Sequence, residues 1–165
     1  LVLLDVDGVL TDGRITYGGD GEEIKSFDVK DGQGVKFLQE GGIEVGILSS
    51  RSSRAVGRRA RELGIRMVRQ GVKEKGAELA AVARRKKMSA EEIAFLGDDF
   101  ADLPVFRRVG LGIAVADSIP ELKRAAHYLT GAPGGRGAVR EAAEAILKAQ
   151  GKWARIVKKY GSSPI

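Results

Sequence analysis

Two aspartates separated by one residue close an apolar run, in LVLLDVDGVLTDG over residues 1–13. A strand bound for a core avoids charge, because an unpaired carboxylate loses its solvation on burial. Asp5 and Asp7 are therefore either exposed at a strand end or bound to something positive. Three more polar groups follow apolar runs further along. Ser49-Ser50-Arg51 ends IEVGILS, Lys75 opens a helix after IRMVRQ, and Asp98-Asp99 follows IAFLG with Asp102 three residues on. Each has a plain explanation when taken alone. Asp and Ser cap helices, a lysine sits anywhere on a surface, and Asp-x-Asp also occurs in glycosyltransferases and calcium loops. Together, in this order, they suit phosphoryl transfer through the protein. Clustered carboxylates repel unless a cation joins them, and hard oxygen donors select Mg²⁺. Asp5 and Asp98 can hold that metal with the backbone carbonyl of Asp7. A carboxylate can attack phosphorus to give an aspartyl-phosphate, while metal and Lys75 neutralise the transferring group. Ser49 donates to a phosphate oxygen. Asp7 can protonate the departing alkoxide and then deprotonate water.

The elements that must position these groups alternate between strand and helix. LVLLDV, IEVGILS, IRMVRQ, IAFLG and GIAV read as buried strands, with HYLT a possible sixth. RITYGGDGEEIKSFDV reads as a hairpin turning at residues 18–21. GVKFLQEGG reads as a short helix stopped by two glycines, and SRAVGRRARELG as a helix capped by Ser52 or Ser53 and ended by Gly64. EKGAELAAVARRKK carries its cations at the C-terminal end, as the helix dipole favours. SAEE has capping-box spacing, and LPVFRRV is helical with Pro104 in its first turn. IPELKRAA and AVREAAEAILKAQ are further helices, GAPGGRG is a loop, and residues 151–165 are a tail. Strands joined by short helices predict an α/β fold: a Rossmann-like, doubly wound parallel sheet. Such sheets bind ligands at the carboxyl ends of their strands. That is where the polar groups cluster. A single domain over residues 1–165 is expected.

Composition bounds the partners. The 165 residues are 43% hydrophobic, enough for one sizeable core. There is no cysteine, hence no disulfide and no thiolate metal site, which fits the cytoplasm. No apolar run approaches a membrane span. The first residue is Leu and a strand begins at once, so native residues before Leu1 are expected. The net charge of +6 favours anionic partners. Most cations fall in helical patterns and read as solvated faces. With 5% aromatic residues the chain lacks the stacking platforms of nucleic-acid binders. Neither nucleic acid nor membrane is an expected partner.

DVDGVLTDG, ILSSR, Lys75 and GDDFADLP resemble the four motifs of the haloacid dehalogenase superfamily, in order and over nearly the whole chain. The resemblance implies Asp5 as nucleophile, Asp7 as acid/base, Ser49 and Lys75 as phosphate ligands, Asp98 as a Mg²⁺ ligand, and Asp99 and Asp102 as support. Lys73 is a close neighbour that competes with Lys75 for its role. The spacing from Asp7 to Ser49 admits only the hairpin and one helix, and from Ser49 to Lys75 one helix and one strand. No cap domain fits. An open site admits water and wrong substrates, so a neighbouring subunit is expected to cover it.

DVDGVLTDGRITY, FDVKDGQGVKFL, GDDFADLPV and GGRGAVREAAEAILKAQGKW further resemble the 3-deoxy-D-manno-octulosonate 8-phosphate phosphatase family. This likeness implies a Mg²⁺-dependent homotetramer acting on a sugar-acid phosphate in lipopolysaccharide precursor synthesis. It implies that residues 14–27 form the oligomer hairpin and that sites are shared between subunits. Arg136 and the tail from Gly151 would reach the active-site mouth. Ser49-Ser50-Arg51 departs from the Thr-Gly-Arg expected there, and Ser50 in place of Gly bears on the local turn. Arg51 and Arg54 either bind a substrate carboxylate or are solvated. Related members act on a nine-carbon 2-keto-3-deoxy sugar acid 9-phosphate, which stays an alternative, as does a non-catalytic oligomerisation module. A phosphorylation-receiver domain also gathers acids, a hydroxyl and a lysine at strand ends, but in a different order. His127, the only histidine, reads as structural. Trp153 and Tyr160 either pack on the body or cover a neighbour's site.

Overall fold

The computed structural model describes residues 1–161, so the end of the predicted tail, 162–165, lies outside the described residues. The chain runs β1 (Val2–Leu4), a hairpin of β2 (Thr16–Tyr17) and β3 (Glu23–Ile24), α1 (Val29–Glu40), β4 (Val45–Leu48), α2 (Arg54–Leu63), β5 (Met67–Arg69) and α3 (Lys75–Lys86). It continues through β6 (Ala94–Gly97), α4 (Leu103–Phe106), β7 (Leu111–Ala114), α5 (Pro120–Ala125), β8 (Tyr128–Leu129), α6 (Ala138–Ala149) and α7 (Trp153–Gly161). Six strands form one sheet in the order β5-β4-β1-β6-β7-β8, with every pairing parallel. β1 is central. Its Val2 and Leu4 join the apolar cluster on one face and its Leu3 the cluster on the other. Burial on both faces is why this strand reads as an unbroken apolar run. The predicted α/β architecture holds, including the sixth strand, and no cap domain is present among the described residues.

The helix expected from Gly34 begins at Val29 instead. Asp28 caps it, its side chain accepting from Lys30 N and Asp31 N. Glycines at 32 and 34 disguised the start, since glycine is a poor helix former, yet Gly34 is required by packing. A Cβ at Gly34 would lie 2.8 Å from the Arg140 Cα of α6, and one at Gly32 would lie 2.4 Å from Arg59 Nη2. Asp31 of the same helix is buried and accepts from Gly137 N at 3.1 Å and Arg140 N at 2.8 Å, so α1 caps α6. At α2 the N-cap is Ser53, but its side chain makes no capping bond. Gly64 ends that helix at φ 72°, as predicted. The capping box at Ser89 is formed, with Ser89 N donating to Glu92 Oε2 at 2.9 Å.

The described part of the tail is helical, and α7 packs on the body of its own chain, the first of the two readings of Trp153 and Tyr160. Trp153 and Tyr160 meet the Phe37 ring edge-on at 5.5 and 5.3 Å. Tyr160 donates to Glu40 Oε1 at 2.8 Å, and Lys159 pairs with Glu40 Oε2 at 3.0 Å. Because α1 runs antiparallel to the strands, Glu40 lies at their amino ends, away from the predicted site. The reason is chemical: the apolar face of α7 finds a mate in Phe37, over which Arg140 also lies at 4.6 Å. His127 is structural as expected. Its N–H donates to Gly112 O, and its Nδ1 accepts from Gly112 N at 2.9 Å, pinning β8 to β7.

Trp153→Ala deletes the ring that bridges Phe37, Arg140 and Lys148. It should cost about 2–3 kcal/mol of stability, at the low end for a large-to-small change because Trp153 is only partly buried. Urea unfolding of the variant checks this, and turnover below the unfolding range should stay near that of the parent.

Candidate active site

β1 delivers Asp5 to the carboxyl end of the sheet, where its backbone N–H donates to Leu96 O at 3.0 Å. The residue is 7% exposed. Its Oδ1 accepts from Val6 N at 2.7 Å and its Oδ2 meets Lys75 Nζ at 2.7 Å. Lys75 is the first residue of α3 and is also buried, with Nζ 2.6 Å from Asp102 Oδ1. Lys73 is exposed, and it is Lys75 that makes these contacts. Asp102 is fully buried, and its other oxygen accepts from Asp98 N at 3.0 Å and Asp99 N at 3.4 Å. Asp99 is exposed and caps the turn that follows, accepting from Phe100 N at 2.7 Å. Ser49 is buried at the end of β4, beside β1. Ser50 needs no glycine-like backbone, since Lys87 is the only described non-glycine residue with positive φ.

Three carboxylates against one ammonium leave two negative charges when all are ionised. Oxygens of Asp5, Asp98 and Asp102 lie within 4.8 Å of one another. Burial, then the charges of Asp5 and Asp102, pushes Asp98 up to about 8. Burial, then Asp102, pushes Asp5 up to about 7 against the pull of Lys75. Lys75 is held above its ordinary value, because Asp5 and Asp102 together outweigh the effect of its burial. The donor set fits a hard divalent cation. Asp98 Oδ1 is buried without a hydrogen-bond partner. Gly8, at φ 88°, leaves the space beside it clear, where a Cβ would come within 2.0 Å of Asp98 Oδ2. Asp102 is committed to Lys75 and to backbone N–H groups, so Asp5 and Asp98 are the carboxylates that can face a metal. The Asp7 carboxylate stands outside this cluster, and its predicted metal contact was through its carbonyl.

Asp7 instead joins Arg51 and two residues that sequence reasoning missed, Lys25 and Glu23. Lys25, whose side chain is 1% exposed, donates to Asp7 Oδ1, and Arg51 Nε lies 3.6 Å from Asp7 Oδ2. Glu23 holds both cations, Arg51 Nη2 at 2.8 Å and Lys25 Nζ at 3.6 Å. The available signal was the spacing of Glu23 and Lys25, which puts both on one face of a strand. Arg54 opens α2 and is exposed, beside a hollow of about 610 Å³ between the hairpin turn and Ser52–Arg54. Arg136 is exposed, on a loop seated against the turn after β1. Gly135 N donates to Val9 O at 2.8 Å, and a Cβ at Gly134 would fall 1.7 Å from Gly8 O. A cleft of about 630 Å³ among Gln39, Glu44, Arg66 and Lys86 shares no residue with this cluster.

The haloacid dehalogenase-like hydrolase family matches residues 65–140. A 3-deoxy-D-manno-octulosonate 8-phosphate phosphatase from Escherichia coli K12 is 44% identical over 152 residues, spanning 92% of this chain and 81% of that protein. Such a phosphatase from Moraxella catarrhalis, solved with a magnesium ion, a phosphate ion and a KDO molecule, superposes with a TM-score of 0.94. It is 39% identical over 96% of this chain and 91% of its own. A cobalt-bound deoxy-D-mannose-octulosonate 8-phosphate phosphatase from Haemophilus influenzae gives a TM-score of 0.89. It is 43% identical over 93% of this chain and 90% of its own.

The raised carboxyls carry a signed pH dependence. Asp5 and Asp98 titrate near 7 and 8 in the folded metal-free protein and below 4 when unfolded. Their contribution to stability is present at acid pH and is lost as pH rises through the folded values. Mg²⁺ requires both ionised, so its binding strengthens over the same range. Calorimetry should show a larger Mg²⁺-induced rise in melting temperature at about pH 8 than at about pH 6. Asp98→Asn should lose most of that rise.

Proposed function

The chain belongs to the haloacid dehalogenase-like hydrolases as a Mg²⁺-dependent phosphoric monoester hydrolase, and we propose that it hydrolyses 3-deoxy-D-manno-octulosonate 8-phosphate. The products are the free sugar acid, which supplies lipopolysaccharide synthesis, and inorganic phosphate. One observation carries the reading: Lys75 is locked between Asp5 and Asp102 at the carboxyl end of the central strand, with the orphaned Asp98 oxygen beside them. The identity to named phosphatases of the eight-carbon substrate supports that substrate over the nine-carbon one.

Asp5 attacks phosphorus, and the bond from phosphorus to the sugar oxygen breaks. Asp7 gives its proton to that departing oxygen. In the second half Asp7 takes a proton from water, whose oxygen attacks the aspartyl-phosphate and frees Asp5 and phosphate. The Lys75 ammonium and the Ser49 hydroxyl hold the phosphoryl oxygens through both halves. When bound to Asp5, Asp98 and the Asp7 carbonyl, Mg²⁺ neutralises the charge of the phosphoryl group. Asp102 keeps Lys75 and the Asp98 backbone in place, and Asp99 shapes the turn that carries them. Arg51, Arg54 and Arg136 at the rim offer cations to the substrate's carboxylate.

The reading includes a homotetramer. Ile15, Tyr17, Ile24 and Val29 put large apolar side chains into solvent on and beside the hairpin. Exposed apolar surface of this kind marks contact with another chain. A neighbour's residues then complete an open site and supply the discrimination that a capless pocket lacks. The cysteine-free composition supports the cytoplasm as the setting.

Asp5→Asn should lower turnover by at least on the order of 10³-fold with the fold intact, because an amide is a poor nucleophile. Wild-type turnover in this variant would overturn the covalent mechanism. A panel of sugar phosphates should give the highest kcat/KM for the eight-carbon sugar acid. Tyr17→Asp with Ile24→Asp should reduce the mass in sedimentation. It should also cost more kcat/KM with the sugar-acid phosphate than with an aryl phosphate.

A further inference from the structure

Asp7 and three side chains around it form a ring of four. Lys25 takes Asp7 Oδ1 and Arg51 faces Asp7 Oδ2, while Glu23 offers Oε1 to Lys25 and Oε2 to Arg51. Two segments far apart in sequence thus clamp one carboxylate from both sides. The contacts are unequal. Lys25 hydrogen-bonds Oδ1, whereas Arg51 Nε is 3.6 Å from Oδ2, beyond a direct hydrogen bond. Oδ2 is therefore the oxygen left able to exchange a proton. The Lys25 side chain is 1% exposed, against 44% for Arg51. Removing a lysine from water is costly unless its charge is paired with good geometry, and here the buried ammonium is aimed at Asp7.

We infer that Lys25 is a positioning residue for proton transfer: it holds Asp7 Oδ1 so that Oδ2 faces the leaving oxygen of the substrate. The inference rests on the acid/base role of Asp7 given above. In the first half-reaction the proton on Asp7 Oδ2 moves to the sugar oxygen as its bond to phosphorus breaks and the Asp5 bond to phosphorus forms. Asp7 becomes a carboxylate with Lys25 already on Oδ1, so no regrouping accompanies the transfer. A carboxyl free to rotate would present Oδ2 for only part of the time, and misplacement by about 1 Å in such a site costs as much as 10²-fold. Glu23 acts one step further out, by keeping Lys25 and Arg51 on their separate oxygens.

The effect should depend on the leaving group. A sugar alkoxide needs the proton, whereas p-nitrophenolate leaves without it. Single-turnover phosphorylation is measured with saturating Mg²⁺ on the sugar-acid phosphate and on p-nitrophenyl phosphate. Lys25→Met should slow the sugar substrate by about 10- to 100-fold and the aryl substrate by less than about threefold. Lys25→Arg should recover most of the loss. In an Asp7→Asn background, Lys25→Met should add less than about twofold, because the group it positions is gone. Equal losses on both substrates, or full additivity with Asp7→Asn, would overturn the inference and leave Lys25 a merely structural role. A different result, Asp7→Asn slowing both substrates equally, would sink the acid role of Asp7 itself. Should Lys25→Met fail to fold, Glu23→Gln keeps the side-chain size while loosening the ring. A selective loss there supports the inference, and an unchanged sugar rate overturns it.

Discussion

The structure depends on a buried ammonium between two buried carboxylates. Lys75 Nζ contacts Asp5 Oδ2 and Asp102 Oδ1 at 2.7 and 2.6 Å, with all three side chains out of water. Taking these charges from solvent is unfavourable, and mutual attraction offsets it only while each remaining polar site is satisfied. Backbone N–H groups provide that: Val6 to Asp5, and Asp98 and Asp99 to Asp102. The strand ends are thereby held in register by charge as well as by the sheet. α3 starts at its lysine because that lysine must point at β1. The 3₁₀ turn after β6 must curl back so that Asp102 meets it. Asp98 is the carboxylate that Lys75 does not contact, and the two negative charges left over when all three are ionised give the site its demand for a divalent cation.

Crowding around this charge explains small residues that would otherwise weaken strands and helices. A Cβ at Gly97 would lie 2.5 Å from Asp102 Oδ2, so β6 ends in glycine to let the carboxylate tuck beneath it. The turn after β1 is pressed from above by the loop at Gly134 and Gly135. Side chains there would collide with the Gly8 carbonyl and with Thr11. That loop in turn leads into α6, whose N-terminus is capped by Asp31 of α1. The catalytic turn, the rim loop bearing Arg136 and the α1–α6 pair are thus one packed stack. A change in the backbone at any of them is transmitted to Asp5 and Asp7.

Much of this was legible in the sequence because parallel strands buried on both faces leave runs such as LVLL and IAFLG, and because their polar endings are chemically expensive. Asp5, Ser49, Lys75 and Asp98 stood out as groups that can converge at the strand ends. What stayed hidden depends on partners remote in sequence. The early start of α1 was masked by glycines, of which Gly34 exists to admit α6. The docking of α7 turns on the fit of Trp153 and Tyr160 to a single ring, Phe37, which no local pattern announces. The ring around Asp7 joins residues 7, 23, 25 and 51. Glu23 and Lys25 lie on the hairpin arm, and only the fold brings them to Asp7 and Arg51.

That arrangement inverts the usual amphipathicity of a two-stranded hairpin. Glu23 and Lys25 project toward the site, and Ile24 between them projects into solvent with Ile15 and Tyr17. So short a hairpin is marginal on its own, and here its polar face is tied down by ion pairs with Asp7 and Arg51. Among the described residues, the apolar face is left exposed. In a tetramer, covering it would stiffen the strand from which Lys25 reaches Asp7. An open active site would then gain more from a neighbour than a lid, because the contact that excludes solvent would also steady Asp7. Such an assembly would meet the acid/base chemistry in three consecutive residues, Glu23, Ile24 and Lys25, whose alternation turns two side chains toward the site and one into solvent.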